Sequence, residues 1–183
     1  MIAIMSDQFF HCLSPISHHS RTFADGAAVF AQDDPVTHVF RVEQGEVRLL
    51  RRQVDGAEFI LQRATAGALV AEASLMSQTY HCAAVAAGPT RLTIWPKTQV
   101  SALISQDTTA AAAYAAHLAR EVRTARLRAE IASLRRVSDR LDAWLVWHDG
   151  VFPAKGRWHE VAQDINVTPA ALYRELAKRG AAT

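Results

Sequence analysis

Residues 158–178 read WHEVAQDINVTPAALYRELAK, and this stretch predicts two short helices joined by a tight turn. In the first helix Val161, Ala162 and Ile165 recur at the spacing of one buried face. Asn166 follows, and asparagine is one of the few residues besides glycine that accept the left-handed backbone of a tight turn. The chain is therefore expected to reverse at Asn166 and to start a second helix soon after it.

Capping residues mark the start of the second helix. Thr168 is a favourable N-cap, and Pro169 suits the first helical position because its missing N–H costs nothing there. The helix then continues over residues 170–178, with Leu172 and Leu176 turned towards the first helix. This spacing is typical of a DNA-binding helix-turn-helix, whose second helix enters the major groove. An ordinary helical hairpin with a solvated basic face is the alternative that this segment alone leaves open.

A DNA interface needs a donor for base edges and cations for phosphates. We expect Arg174 to read bases, because arginine can form two hydrogen bonds with one guanine. The Thr168 hydroxyl lies at the helix start, where anions bind favourably. The other residues expected at this interface are Pro169, Ala170 and Tyr173, with Lys178, Arg179, Lys155 and Arg157 as phosphate contacts.

Residues 21–96 predict an antiparallel sandwich or roll of closely spaced strands. The β-favouring runs 39–42 and 47–50 are separated by residues 43–46, where Gly45 is expected to turn a hairpin. Asp-Gly is among the strongest short hairpin signals, and one such pair lies between residues 49–54 and 57–63. A short helix and a loop are expected before the strands, over residues 6–20. The remaining turn positions are Asp55-Gly56, Gly67 and Gly88-Pro89, followed by the strand run 91–95.

One long helix is predicted over residues 107–137, which contain neither glycine nor proline. It has two apolar stripes, and a second stripe on one helix favours a partner helix. One stripe has coiled-coil spacing. The other, formed by Leu127, Ile131 and Leu134, is displaced from it around the helix. The simpler alternative is that the alanines only favour the helix. The coiled-coil stripe, which we expect to form a dimer interface, consists of Ala111, Ala115, Leu118, Val122, Ala125, Ala129 and Ala132.

Composition limits the classes of function that the chain can have. It has 183 residues, half of them hydrophobic, and a net charge of +2. Residues 118–183 hold 12 basic and 8 acidic side chains, whereas residues 1–117 hold 8 and 10, so the basic excess lies near the predicted DNA-binding segment.

The two cysteines are too few for a disulfide framework or for the four ligands of an iron–sulfur cluster. Without a signal peptide or an apolar membrane span, a soluble cytoplasmic protein is expected. No spacing of residues indicates catalysis, so an enzyme is not expected.

The order of roll, long helix and helix-turn-helix resembles the family of the cyclic AMP receptor protein and the fumarate-nitrate reduction regulator, the CRP/FNR family. The resemblance runs from about Phe9 to Gly180 and implies an α+β fold. Its parts are a β-roll like a cyclic nucleotide-binding domain (1–106), a dimerisation helix (107–137) and a truncated winged helix (138–183). The matching motifs are Phe23-x-x-Gly26-x-x-x-Phe30-x-Gln32-x-Asp34, Val39-Phe40-x-Val42-x-x-Gly45-x-Val47, Asp55-Gly56-x-Glu58, Leu61, Gly67, Val161-Ala162-x-x-Ile165-Asn166-Val167-Thr168 and Leu172-Tyr173-Arg174-x-Leu176.

The resemblance also implies an effector cassette in the roll. Glu72 occupies the position of the family's ribose-binding glutamate, but Ala71 replaces a glycine and His81 replaces the arginine that pairs with the cyclic phosphate. A neutral imidazole lacks the charged fork of an arginine, so cyclic AMP is not the expected effector. His81 and Cys82 raise the alternative of haem, but adjacent strand residues point to opposite faces. The expected effector-binding residues are Gly67, Val70, Ala71, Glu72, His81 and Cys82.

The implied function is a homodimeric, effector-controlled transcription regulator. Its implied partners are double-stranded DNA, a second copy of the chain and RNA polymerase. Pro169 and Ala170 stand where better-known members carry polar base-reading residues, so only Arg174 keeps a family base contact. A sensor or interaction protein that keeps the fold with weak or no specific DNA binding is therefore the alternative.

Overall fold

The structure is a computed structural model that describes residues 7–52 and 58–180. The chain divides into two compact units, which we call the sensor unit (Met1–Leu118) and the helical unit (Ala119–Thr183). The predicted Asp55-Gly56 hairpin lies outside the described residues. In the described part of the chain, no helix is both long and apolar enough to cross a membrane.

The sensor unit is built mainly from six strands with a few short helices. Its elements are α1 (Asp7–Leu13), β1 (His19–Phe23), β2 (Ala28–Phe30), β3 (His38–Arg52), β4 (Glu58–Thr65), β5 (Leu69–Val70), a 3-10 turn (Glu72–Ser74), β6 (Ala83–Pro96) and α2 (Lys97–Gln106). The strand order is β1-β6-β3-β4, with β2 paired to β6 and β5 paired to β3, and every pairing is antiparallel. The predicted α+β fold is confirmed.

The predicted hairpin at residues 43–46 is wrong, because β3 continues through these residues as one strand. Gly45 does adopt a positive φ of 89°, but it forms a bulge against β6 rather than a turn. A Cβ at this position would lie 2.6 Å from the Pro89 carbonyl oxygen and 2.6 Å from Thr90 Oγ1. Only glycine lets the two strands approach so closely.

The predicted turn at Gly88-Pro89 is also wrong, since both residues lie inside β6. Gly88 has a φ of 80°, and its N–H donates to Asp25 Oδ1 at 2.7 Å. This contact satisfies a backbone donor that the sheet ladder leaves out at the bulge. β6 is therefore irregular at Gly88, close to the bulge at Gly45 of β3. β3 and β6 stay paired on both sides of these two irregularities.

Two apolar clusters lie on opposite faces of the sheet. The cluster on one face, which we call the inner cluster, contains Phe30, Phe40, Val47, Leu92 and other buried side chains. The outer cluster packs α1 and the start of the long helix against Val39 and Trp95 on the sheet, and it includes Phe9, Leu13, Leu75, Val100 and Tyr114.

The long helix α3 spans Thr108–Ser133 and ends earlier than the predicted residue 137. Arg136 has an extended backbone with ψ 142°, which separates α3 from α4 (Val137–Trp147). The Arg140 Nε donates to the Leu134 carbonyl at 2.7 Å and so satisfies a backbone acceptor between the two helices. No glycine or proline marks this break, which explains why the sequence pattern runs through it.

The helical unit continues with a 3-10 turn (Lys155–Arg157), α5 (Trp158–Asp164) and α6 (Pro169–Lys178). These helices surround one apolar cluster, to which Leu127 and Ile131 of α3 also contribute. The second predicted stripe of α3 is thus used within the chain. The cluster's buried members are Ile131, Leu141, Trp144, Trp158, Val161, Ala162, Ile165, Leu172 and Leu176.

Candidate nucleic-acid interface and effector cassette

The turn between α5 and α6 has the geometry that its sequence predicts. Asn166 adopts a left-handed φ of 53°, and the Val167 N–H donates to the Ala162 carbonyl at 2.8 Å. Arg140 of α4 holds the same turn, since its Nη1 donates to the carbonyls of Ile165 at 3.2 Å and Asn166 at 2.8 Å. Arg140 is therefore a positioning residue that the sequence did not reveal.

The start of α6 is capped as expected. Thr168 Oγ1 accepts a hydrogen bond from the Ala171 N–H at 3.2 Å, and Pro169 follows at the first helical position. Leu172 and Leu176 are buried against the rest of the helical unit. The position and rotation of α6 are thus set by a cap at one end and two leucines along its inner face.

The opposite face of α6 is exposed. Tyr173 is 42% exposed, and its ring lies 5.4 Å from that of Trp158. Arg174 is also exposed, with its Nε bonded to the Ala170 carbonyl at 3.3 Å. The spacing of the exposed residues places them on one continuous helix face. This face consists of Pro169, Ala170, Tyr173, Arg174, Ala177 and Lys178.

The four expected phosphate contacts have different environments. Arg179 is already paired, through Nη1 to Asp142 Oδ1 at 2.5 Å and through Nε to Glu175 Oε1 at 2.9 Å. Arg157 pairs with Glu160, and Lys155 Nζ lies 5.9 Å above the Trp158 ring. Lys178 is exposed and has no ion pair with any described residue. The structure thus leaves Arg174 and Lys178 as the cations least engaged on the α6 face.

Four of the six cassette residues lie at β5 and beside it, from Gly67 to Glu72, whereas His81 and Cys82 lie just before β6. Gly67 has a φ of 90°, and its N–H donates to the Val42 carbonyl at 2.8 Å. Val70 is fully buried. Ala71 adopts a left-handed φ of 69°, a conformation that costs an alanine about 1–2 kcal/mol relative to right-handed geometry. The backbone therefore keeps a shape that suits glycine although the residue is alanine.

Glu72 and Ser74 form the 3-10 turn after Ala71 and are both buried, with Glu72 only 6% exposed. Ser74 Oγ lies 3.0 Å from His81 Nδ1, so the turn is bonded to the residue that replaces the family's arginine. Arg51 of β3 reaches the same region, where its Nη2 donates to the His81 carbonyl at 3.1 Å. Arg51 is another residue that the sequence did not single out.

His81 and Cys82 precede β6 rather than lying on a strand, but they still face opposite ways. The His81 side chain is exposed, whereas Cys82 is buried. Burial raises the pKa of the Cys82 thiol; the Arg51 guanidinium opposes that shift and the Glu72 carboxylate adds to it. In residues 7–52 and 58–180, no three His, Cys, Asp or Glu side chains converge as a metal site would require.

Tyr114 connects the cassette to the long helix. Its buried hydroxyl donates to the Glu72 carbonyl at 2.9 Å. Burial raises the pKa of the Tyr114 phenol to about 12, and the Glu72 carboxylate adds to that shift. The neighbouring Phe9 ring, at 5.2 Å between centroids, helps to hold Tyr114 in place. This contact could not be predicted from sequence, because the two residues are 42 positions apart.

The coiled-coil stripe of α3 is uncovered in the single chain. Val122 is 47% exposed, and Ala115, Ala125 and Ala129 are also exposed. The remaining members of the stripe, Ala111, Leu118 and Ala132, are half-buried.

Comparison with known proteins supports the fold. A family model described as "Cyclic nucleotide-binding domain" matches residues 20–107. The catabolite activator protein of Thermus thermophilus is 26% identical over 97% of this chain and 86% of its own, with a TM-score of 0.55. The chain thus contains a region similar to cyclic nucleotide-binding domains and shares its fold with a catabolite activator protein. No curated protein matches this chain in sequence.

Two further solved structures share the fold of this chain. FixK2 from Bradyrhizobium japonicum has a TM-score of 0.71 at 19% identity, over 90% of this chain and 87% of its own. TTHB099, a CRP family transcriptional regulator from Thermus thermophilus, has a TM-score of 0.60 at 17% identity, over 87% and 85%. At these identities the two likenesses show a shared fold.

Proposed function

We propose that this CRP/FNR-like chain is a homodimeric transcription regulator, which binds double-stranded DNA through α6 and responds to an effector in the sensor unit. The observation that carries the proposal is the exposed face of α6. Arg174 and Lys178 lie on it beside Tyr173, while the cap at Thr168 and the buried leucines hold the helix. A rigid helix with an exposed cationic face fits a major groove.

The two cations of this face have different proposed roles. Arg174 lies in the middle of α6, and its terminal nitrogens are available to form two hydrogen bonds with a guanine. Lys178 lies one turn later, where a flexible ammonium suits a phosphate. The Thr168 hydroxyl lies at the helix start, next to the backbone N–H groups that favour anions. Arg179 is not one of the proposed DNA contacts, because its guanidinium is already paired with two carboxylates.

A gel-shift titration with a duplex from the protein's own upstream region tests these roles. Arg174→Ala is expected to weaken specific binding about tenfold or more, since a bidentate base contact is worth about 1–3 kcal/mol. Lys178→Ala is expected to weaken specific and random duplexes alike and to reduce the salt slope by about one. Arg135→Ala, which removes an exposed arginine outside α6, is the control and is expected to bind normally. Unchanged affinity of Arg174→Ala would remove the base-reading role, and binding without sequence preference would favour the alternative of a non-specific binder.

Dimerisation rests on the uncovered stripe of α3. Ala115, Val122, Ala125 and Ala129 present a row of small apolar side chains at heptad spacing, which suits close packing of two helices. Light scattering of the full chain is expected to give the mass of a dimer. Val122→Lys is expected to give a monomer, whereas Ala116→Lys on another exposed face leaves the mass unchanged. A monomeric wild-type chain at micromolar concentration would contradict this part of the proposal.

The proposed effector differs from cyclic AMP. In the cassette, the exposed His81 imidazole bonds to Ser74, and no arginine stands at position 81 to pair with a cyclic phosphate. A ligand that binds only the folded state raises its melting temperature. We therefore expect no shift with cyclic AMP or cyclic GMP in a thermal-shift panel that also contains haem. A clear shift with cyclic AMP would overturn this expectation.

A further inference from the structure

The sensor unit has a cleft that shares no lining residue with the cassette. It opens at the β1 edge of the sheet and has a volume of about 220 Å³. The floor is formed by Phe30, Phe40, Tyr80 and Ile94, and the polar rim includes Arg21. We propose that this cleft binds a small aromatic monocarboxylate, with the ring on the aromatic floor and the carboxylate at Arg21.

The floor is a preorganised set of flat apolar surfaces. Phe30 stacks on Tyr80 with 3.8 Å between ring centroids and 13° between planes, and Phe40 lies 5.7 Å from Phe30. The Tyr80 hydroxyl donates to the His38 carbonyl at 2.9 Å, which fixes the ring and uses its polar end. A planar ring that enters the cleft can therefore extend an existing stack without reordering it.

The rim of the cleft carries the guanidinium of Arg21, which lies on β1. His19, Arg21 and Phe23 are every second residue of β1, so their side chains lie on the same face of the strand. The Arg21 guanidinium lies 4.7 Å above the Phe23 ring, and no hydrogen bond or ion pair joins it to another described residue. Stacking covers one face of the guanidinium and leaves its N–H edge available for a carboxylate.

The other polar groups of the rim limit the ligand to one negative charge. The single carboxylate, Asp34, accepts the Ala31 N–H at 2.9 Å through Oδ2 and would repel a second anionic group. His38 Nδ1 lies 2.9 Å from Thr37 Oγ1, so its other ring nitrogen is the one left for a ligand. The volume is below the range of about 300–1,000 Å³ for drug-sized ligands, which favours a ligand with one ring.

Calorimetric titration of the full chain with benzoate, benzyl alcohol and acetate tests the proposal. Benzoate combines the ring with the charge, benzyl alcohol lacks the charge, and acetate lacks the ring. Benzoate is expected to bind about tenfold more tightly than either, because a charge-assisted hydrogen bond and ring contact each contribute. Equal binding of benzoate and acetate, or no heat with benzoate, would overturn the proposal.

Variants locate the binding. Arg21→Gln is expected to weaken benzoate binding about tenfold, and Val29→Phe is expected to fill the cleft and abolish binding. Arg91→Gln is the matched control, because Arg91 lies on the adjacent strand and pairs with Glu43 at 2.6 Å on the opposite face. If Arg51→Gln, beside the cassette, weakened benzoate binding and Arg21→Gln did not, the ligand would lie elsewhere and the inference would be wrong.

Discussion

Replacing Tyr114 with phenylalanine removes one buried hydroxyl and keeps the ring. At neutral pH the variant loses the hydrogen bond to the Glu72 carbonyl, which is worth about 1 kcal/mol. The Leu75 N–H still donates to that carbonyl at 3.2 Å, so no acceptor is left unpaired and the loss stays small. The larger effect is expected at high pH.

The pKa of Tyr114 is about 12 in the folded chain, whereas an unfolded tyrosine ionises near about 10. Because the folded pKa is raised, the stabilising contribution is complete below about pH 10 and is lost as pH rises towards about 12. The loss amounts to about 1 kcal/mol at about pH 11 and to about 2–3 kcal/mol above about pH 12. Wild type should therefore lose more stability than Tyr114→Phe between about pH 9 and about pH 11.

Urea unfolding followed by circular dichroism at these two pH values measures the difference. Tyr173→Phe, at an exposed tyrosine, is the control and is expected to keep the wild-type pH dependence. Ultraviolet titration of tyrosinate gives an independent reading, since the variant should lack the transition near about pH 12 that the Tyr114 phenol contributes. If wild type and Tyr114→Phe lost the same stability at high pH, the assigned burial and hydrogen bond of Tyr114 would be wrong.

Six other substitutions, at four positions, test the backbone geometry by their effect on the free energy of unfolding. Ala71→Gly is expected to change the free energy of unfolding by less than about 1 kcal/mol. Relief of the left-handed strain is offset by the loss of a buried methyl group and by the greater backbone entropy of glycine in the unfolded chain. Ala71→Val should cost about 2 kcal/mol or more. Gly45→Ala is expected to cost more than about 3 kcal/mol because its Cβ meets β6 backbone, while Gly26→Ala, with open space around it, should cost about 1 kcal/mol. Thr168→Ala should cost about 1 kcal/mol through loss of the N-cap, and Thr168→Ser should restore most of it. Equal costs for the two glycine variants, or no cost for Thr168→Ala, would contradict the geometry.

The helix-turn-helix was predictable because local chemistry determines it. Asn166 sets the turn, Thr168 and Pro169 start α6, and the buried positions follow from helical spacing. Each of these signals acts within a few residues, so no knowledge of distant contacts is needed. The break between α3 and α4 was missed for the opposite reason, since it depends on an extended Arg136 that carries no local signal.

The ends of the strands were harder to predict than the presence of an antiparallel β-structure. A glycine with positive φ inside a β-favouring sequence is equally compatible with a hairpin and with a bulge. At Gly45 the choice is made by β6, whose Pro89 and Thr90 lie directly against it. Because that partner lies more than forty residues away, the local sequence alone favoured the hairpin.

The sequence located the cassette but not the contacts that organise it. Ala71 and Glu72 were found through their resemblance to the family pattern, whereas Arg51 and Tyr114 reach the cassette from β3 and α3. The same limit applies to Arg179, which is basic by sequence but paired with Asp142 in the structure. A charged side chain can be identified from sequence, but whether it is available for a ligand depends on its tertiary neighbours.

The contacts of the 3-10 turn also limit how strongly an effector can act on α3. The turn meets His81 through Ser74 and meets Tyr114 through the Glu72 carbonyl. An effector shifts an equilibrium only by the difference in its interactions with the two states. If it changes only the Tyr114 hydrogen bond, about 1 kcal/mol is available, which corresponds to about a fivefold change in affinity between the sites. A larger regulatory response requires that the effector also alter the packing of Phe9 and Tyr114, so Tyr114→Phe should reduce such a response without abolishing it.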